Sequence, residues 1–235
     1  MNGKLLVGSM HIGNYHDTSF RMLDEIKKCD VIFSDDPISE IQNLLKYHDI
    51  EKEIVTLKST NTNYADQDQI NLMINYIKNN KTVLLVATEG QIGMADPGPQ
   101  FIEACIKNNL PYTVLPGPSS FINAYVASGF SGGDLFISYG IHNVVEVLSL
   151  HANRQYGLIV PVYYDDLKDA LTFIKNDIHY EGKEKMVAIC VDMTLPNELI
   201  IVDTSKNILN NPNIDKINKD NKIIIVLSTF KDLTL

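Results

Sequence analysis

The sequence is poor in cysteine and lacks long apolar runs, and both shortages narrow what it can be. Its three cysteines, Cys29, Cys105 and Cys190, are far apart, odd in number and set in apolar patterns, which fits buried thiols better than a disulfide framework or a zinc site. No apolar run approaches the roughly 18 residues that a membrane-spanning helix needs, so no membrane segment is expected. The first apolar run is only Leu5 to Val7, too short for the h-region of a signal peptide; a cytoplasmic protein is the default. Positive charge is also scarce: 20 Lys and Arg stand against 29 Asp and Glu, a formal net charge of −9. That balance argues against a protein whose whole surface grips phosphate, and no basic run is interleaved with aromatics. The densest lysine cluster lies around Lys183 and Lys185, and a local basic groove stays open. Three common cofactor and nucleophile motifs are missing as well: GxGxxG, GxxxxGK[ST] and GxSxG.

What is present is an alternation of short apolar runs with helical patterns. At 235 residues the chain suits one large α/β domain or two small ones. Lys4 to Gly8 predicts a strand, and Asp17 or Thr18 is placed to cap a helix carrying Phe20, Leu23 and Ile26, before a strand over Val31 to Ser34. A helix over Ser39 to Tyr47, a strand over Ile54 to Leu57 and an exposed, mobile polar loop from Lys58 to Asn63 continue the pattern. Ile70, Met73, Ile74 and Ile77 then fall at i, i+3, i+4 and i+7, a helical stripe for the sheet, with Met73 read as core. Strands over Thr82 to Ala87 and Tyr112 to Leu115 alternate with helices over Pro99 to Asn108 and Ser119 to Ala127, which implies parallel pairing with right-handed crossovers. The glycines within Ser128 to Gly133 mark a join, giving an N-terminal α/β domain over 1–128 and a C-terminal domain over 129–235. In the latter, strands over Asp134 to Tyr139, Gly157 to Tyr163, Lys185 to Val191, Glu198 to Asp203 and Lys222 to Leu227, with one helix over Asp166 to Asn176, suggest a mixed sheet.

The stretch from Glu89 to Ser120 holds two strand-to-helix turns, Thr88-Glu89-Gly90 and Pro116-Gly117-Pro118-Ser119-Ser120. In open α/β sheets ligands collect outside the carboxyl ends of strands, where small residues let a ligand approach the backbone. This stretch therefore reads as a cofactor cleft.

Four short motifs then occur in order: Ile12-Gly13-Asn14 with Asp17-Thr18, Asp96-Pro97-Gly98, Pro116-Gly117-Pro118-Ser119, and Ala127-Ser128-Gly129. Together they resemble the tetrapyrrole methylase superfamily of S-adenosylmethionine-dependent methyltransferases, and are most similar to its branch that 2′-O-methylates a cytidine of 16S ribosomal RNA. The resemblance implies a two-domain α/β fold, with a mostly parallel N-terminal sheet covered by helices on both faces and a mixed-sheet C-terminal domain. It further implies S-adenosylmethionine as cofactor, a homodimer and direct methyl transfer. Glu89, Gly90, Gln91, Ile92, Gly93 and Asp96 match the family's Gly-rich cofactor loop; Pro116, Gly117, Ser119 and Ser120 match its second cofactor loop. Tyr163 and Met193 stand at the ends of later strands where the family often adds contacts.

Departures from the branch pattern are specific. Pro37 and Ile38 follow the acidic pair Asp35-Asp36 where the branch has Thr and Arg, and Glu89 to Gly93 replaces its DAGTPG. Its Ser-Pro-His-Arg and Arg-Glu-Leu-Thr-Lys blocks have no counterpart, nor does its usual C-terminal extension. The acceptor is therefore left between an RNA ribose hydroxyl and a peptide backbone or small metabolite, and a noncatalytic domain that binds S-adenosylmethionine is the rival of another class. Methyl transfer from a sulfonium asks mainly for positioning and for a group to take the nucleophile's proton. Candidates for the latter are His11, His16, Asp17 and Asp35, against the plainer readings of loop histidines and a capping aspartate. Likewise Gly90, Gly93 and Gly98 serve ordinary turns in most proteins, Asp96 is placed to cap a helix, and Ser119 and Ser120 are good N-cap residues anywhere.

Overall fold

A computed structural model describes residues 3–35, 37–58, 65–93, 96, 98–138, 143–178 and 184–229. Residues 59–63 of the polar loop expected from Lys58 to Asn63, together with Asp36, Pro97, Tyr139 and Lys183, lie outside these residues. Five strands, β1 (Lys4–Val7), β2 (Val31–Ser34), β3 (Ile54–Thr56), β4 (Thr82–Val86) and β5 (Tyr112–Val114), form one sheet in the order β3-β2-β4-β1-β5. All of its pairings are parallel. The helices between them are α1 (Phe20–Lys28), α2 (Ser39–Tyr47), α3 (Gln67–Lys78) and α4 (Gly98–Lys107).

Alternation along the strands decides which helix covers which face. Leu6, Ile32, Leu84 and Val86 pack with Met22 and Ile26 of α1 and with Ile41, Leu44 and Leu45 of α2. Leu5, Val7, Phe33, Val83 and Leu85 point the other way, onto Ile70, Met73 and Ile77 of α3 and Phe101, Ala104 and Cys105 of α4. Met73 is core, as its spacing implies. The neighbours β1 and β4 thus send their chains to opposite faces: α1 follows β1 on one side and α4 follows β4 on the other. Such a reversal leaves a crevice at the strands' carboxyl ends.

The second sheet contains β6 (Leu135–Ile137), β7 (Gly157–Val162), β8 (Met186–Val191), β9 (Leu199–Thr204) and β10 (Ile223–Leu227) in the order β6-β7-β10-β8-β9. Only β6 and β7 pair in parallel; the other three pairings are antiparallel. Helices α6 (Val144–His151) and α7 (Tyr164–Asp177) cover one face. Ala124 of α5 (Ser120–Ser128) packs on the other, with Ala188, Cys190 and Val226. Contacts divide the chain into compact units of Met1–Ser119 and Ser120–Leu235, before α5, whereas the glycine-rich join falls after it. Lys185, beside β8, is buried; its ammonium donates to the Tyr156 carbonyl at 2.8 Å, and burial pulls its pKa down to about 8.

All three cysteines are free and buried. Burial pushes each thiol up, Cys29 and Cys105 to about 11 and Cys190 to about 12, so none is a thiolate nucleophile at neutral pH. Among the described residues no helix is long and apolar enough to cross a membrane.

Candidate functional site

The carboxyl end of the first sheet is built from three interlocked loops. After β1, the Gly8 amide still donates to Leu85 of β4 at 2.8 Å, and Ser9 then pairs with Gln91 in a single antiparallel bridge. Met10 N donates to the Gly90 carbonyl at 2.9 Å and Gly90 N to the His11 carbonyl at 3.1 Å. Gln91 adds a bond from Nε2 to the Gly8 carbonyl at 3.3 Å. Gly90 has φ +62°, where a side chain is strained, and this turn lets residues 89–93 fold back on the loop after β1. Met10, Ile12 and Ile92 are buried beneath.

The third loop joins on the other side of β1. Leu115 N donates to Val7 at 2.8 Å, and the Ser9 hydroxyl donates to the Pro118 carbonyl at 2.9 Å. A methyl group on Gly117 would stand 2.5 Å from Ser9 Cβ, far inside van der Waals contact, so only glycine fits there. Pro116 and Gly117 are nevertheless exposed, with Ser119 half-buried. The result is bare backbone presented at the crevice and held from behind by Ser9.

A second cluster caps β2 and β4. The Thr88 hydroxyl donates to Asp35 Oδ1 at 2.9 Å, and the carboxyl groups of Asp35 and Asp96 interact electrostatically. Burial, then the neighbouring Asp35 charge, pushes Asp96 up to about 6; burial also raises Asp35, against the hydrogen bonds from Thr88 and Asp96. Both carboxyls therefore hold their protons to higher pH than an ordinary aspartate.

The structure gathers Glu89, Gly90, Gln91, Ile92, Gly93, Pro116, Gly117 and Ser119 at the carboxyl ends of β1, β4 and β5, with Asp35 just past β2 and Asp96 in the loop before α4. His11 joins them but is fully buried. Asp17 and His16 lie apart: both are exposed in a 3-10 turn (Tyr15–Asp17), where His16 Nε2 bonds the Tyr47 hydroxyl at 3.2 Å. The cap of α1 is neither Asp17 nor Thr18 but Ser19, whose Oγ accepts from Met22 N at 3.1 Å. Three candidates belong to the second unit: Ser120 opens α5, Tyr163 precedes α7 and is 67% exposed, and Met193 packs against the face that α5 covers. Ser9 and Thr88 were missed as site residues. Their signal was faint: each is a small hydroxyl residue just past a buried strand.

A parallel sheet whose strand ends carry interlocked, glycine-bearing loops at a switch point is the arrangement at which open α/β proteins bind small ligands. Its sequence over residues 9–209 matches the Tetrapyrrole (Corrin/Porphyrin) Methylases; the chain belongs to that family. It is 38% identical over 128 residues to the ribosomal RNA small subunit methyltransferase I of Hydrogenobaculum sp., covering 54% of this chain and 53% of that one. The chain thus spans about half the length of that curated relative. With the protein of the same name from Mycobacterium bovis it shares 31% over 203 residues, 85% of this chain and 70% of the relative. The uroporphyrin-III C-methyltransferase of Thermus thermophilus, solved with S-adenosylhomocysteine, superposes with a TM-score of 0.61 at 14% identity, covering 98% of this chain and 99% of that one. That likeness is one of fold.

Proposed function

We propose that the protein is a cytoplasmic, homodimeric methyltransferase that uses S-adenosylmethionine, with an RNA ribose hydroxyl as acceptor. One observation carries the cofactor: the cradle in which Ser9 backs Gly117 and Met10 and His11 hold Gly90, while the backbone of residues 116–117 stays open at the switch point. Ser9 fills the inner side of Gly117, and the exposed outer side suits a ligand that lies directly on the main chain. Family membership supports the same cofactor, and the relatives named ribosomal RNA small subunit methyltransferase I support the acceptor.

When bound, S-adenosylmethionine supplies an activated methyl group on a sulfonium. Gly90, Gly93, Pro116, Gly117 and Ser119 would hold it through backbone and small side chains, and the Glu89 carboxylate adds charge complementary to the sulfonium or to a sugar diol. A hydroxyl acceptor would have to give up its proton on taking the methyl group. Asp35 and Asp96, the carboxyls at this end of the sheet, are the candidates to receive it. Exposed apolar side chains at Ile122, Val126, Ile200 and Val202 support self-association.

Calorimetry with S-adenosylmethionine and S-adenosylhomocysteine tests the cofactor, with binding expected in the micromolar range; no heat at millimolar ligand removes the proposal. Tritiated methyl transfer to ribosomal RNA, peptide and metabolite fractions tests the acceptor. A second acceptor class, a peptide or small metabolite, is favoured by the replacement of Thr and Arg with Pro37 and Ile38, since an arginine for phosphate is absent at that point. Tight binding without label in any fraction would leave a noncatalytic binding domain. Light scattering at micromolar concentration that shows only a 26.4 kDa species would contradict the dimer.

A further inference from the structure

We propose that His11 is a positioning residue of this site: its neutral imidazole holds the loop after β1 in the shape the cofactor meets. The inference rests on the cofactor reading above. Sequence alone makes His11 a loop histidine available to take a proton, but the structure buries it completely.

Each ring nitrogen has a distinct setting. Nδ1 accepts the Gly13 amide at 3.3 Å. Only an unprotonated nitrogen can accept, so the ring proton sits on Nε2, which is turned to Glu40 Oε2 of α2 at 4.0 Å. The Tyr15 ring meets the imidazole edge-on, with centroids 4.6 Å apart.

His11 therefore acts on two loops at once. Its side chain fixes Gly13, which has φ +148° and gives a turn that other residues resist. Its carbonyl receives the Gly90 amide at 3.1 Å, the same glycine whose carbonyl accepts from Met10. With Ser9 fastened to Pro118, the segment 9–13 is the common support of both cofactor loops, and the imidazole is the one side chain that bonds within it and also faces α2. Losing the Nδ1 acceptor frees the Gly13 turn and shifts the support on which Gly90 and Gly117 rest.

Full-length variants separate this role from simple packing. In His11→Asn the amide oxygen falls where Nδ1 stands; in His11→Gln the amide reaches the place of Nε2 and offers nothing to Gly13; His11→Phe keeps only the ring. Calorimetry with S-adenosylhomocysteine is expected to show His11→Asn within about 3-fold of the wild type, and His11→Gln and His11→Phe weaker by about 10-fold or more, the loss of one buried hydrogen bond. Thermal midpoints, measured alongside, should not follow that order, because Asn leaves the largest void. Nitrogen-15 spectra of the imidazole in the ligand-free wild type should show Nδ1 unprotonated and Nε2 carrying the proton. Equal affinities for the three variants, or a proton on Nδ1, would overturn the role while leaving the cofactor reading intact. A wild type that binds no S-adenosylhomocysteine removes the cofactor reading, and this role with it.

Discussion

Gly117 shows how one missing side chain shapes a site. Substitution by alanine would place Cβ 2.5 Å from Ser9 Cβ and 2.7 Å from Ser9 Oγ, so Ser9 must move and its bond to Pro118 must break. Overpacking of this kind destabilises by about 1–3 kcal/mol. Gly117→Ala is therefore expected to lower the unfolding free energy from urea melts by that amount and to weaken S-adenosylmethionine binding further, whereas Ser9→Ala removes the bond alone, for about 1 kcal/mol. Asp96 gives the residue-scale pH dependence. Its pKa rises from 3.8 to about 6 on folding, so between those values the folded state holds more protons than the unfolded one. Stability contributed by this group is fully present below pH 3.8 and is lost as pH rises through 6. Asp96→Asn keeps a donor for Asp35 without the charge. The variant should accordingly gain on the wild type by on the order of 1–3 kcal/mol between pH 4 and pH 7, read from urea melts across that range; a difference independent of pH would refute the raised pKa of Asp96. If the pair receives the acceptor's proton, Asp35→Asn should also lower kcat by about 100-fold with little change in cofactor affinity.

Elements were legible where local chemistry decides them. β1, β2 and β4 read as strands because they are short apolar runs buried on both faces and bounded by turn residues, and α3 read as a helix because Ile70, Met73 and Ile77 repeat on one stripe. Helix α6 was not legible. Its VVEVLSLH run is rich in β-branched residues that suit strands, and it is helical because the Asn143 side chain accepts from Val145 N and Glu146 N and because Val144 and Leu148 reach a core assembled from distant strands. The strand order was out of reach for the same reason: placing β10 between β7 and β8, or β1 between β4 and β5, depends on pairings that leave no local trace. At the site, the glycine turns were readable, but the partnership of Ser9 with Gly117 spans more than a hundred residues, and so was silent in either segment alone. The cap of α1 is open to a simple test. Ser19 Oγ accepts from Met22 N, and Ser19→Ala should cost about 1 kcal/mol, whereas Asp17→Ala, at an exposed residue, should leave the unfolding free energy from urea melts within about 0.5 kcal/mol.

The whole molecule carries a formal charge of −9, and that bears directly on the acceptor. A protein that holds RNA through many phosphates needs a basic surface, and its affinity falls steeply with salt, by roughly 0.7 in log K per phosphate for each unit of log salt on single strands. This chain has no such excess, and Pro37 and Ile38 stand where an arginine would have met a phosphate. If the acceptor is an RNA ribose, recognition must rest on a few phosphates and on the base and sugar that enter the site. Binding to a ribosomal RNA fragment should then lose affinity with a slope no steeper than about −3, equivalent to some four phosphates, while methyl transfer stays confined to one nucleotide. A peptide or metabolite acceptor predicts a different result: transfer rates nearly flat with salt, because partners beyond a Debye length of about 8 Å contribute little at 0.15 M. A slope of −6 or steeper would contradict both expectations and require an extended phosphate-gripping surface that the composition of the chain argues against. Measuring kcat/KM against salt concentration for each acceptor fraction therefore ranks the acceptors by physical mechanism, independently of which fraction carries the most label.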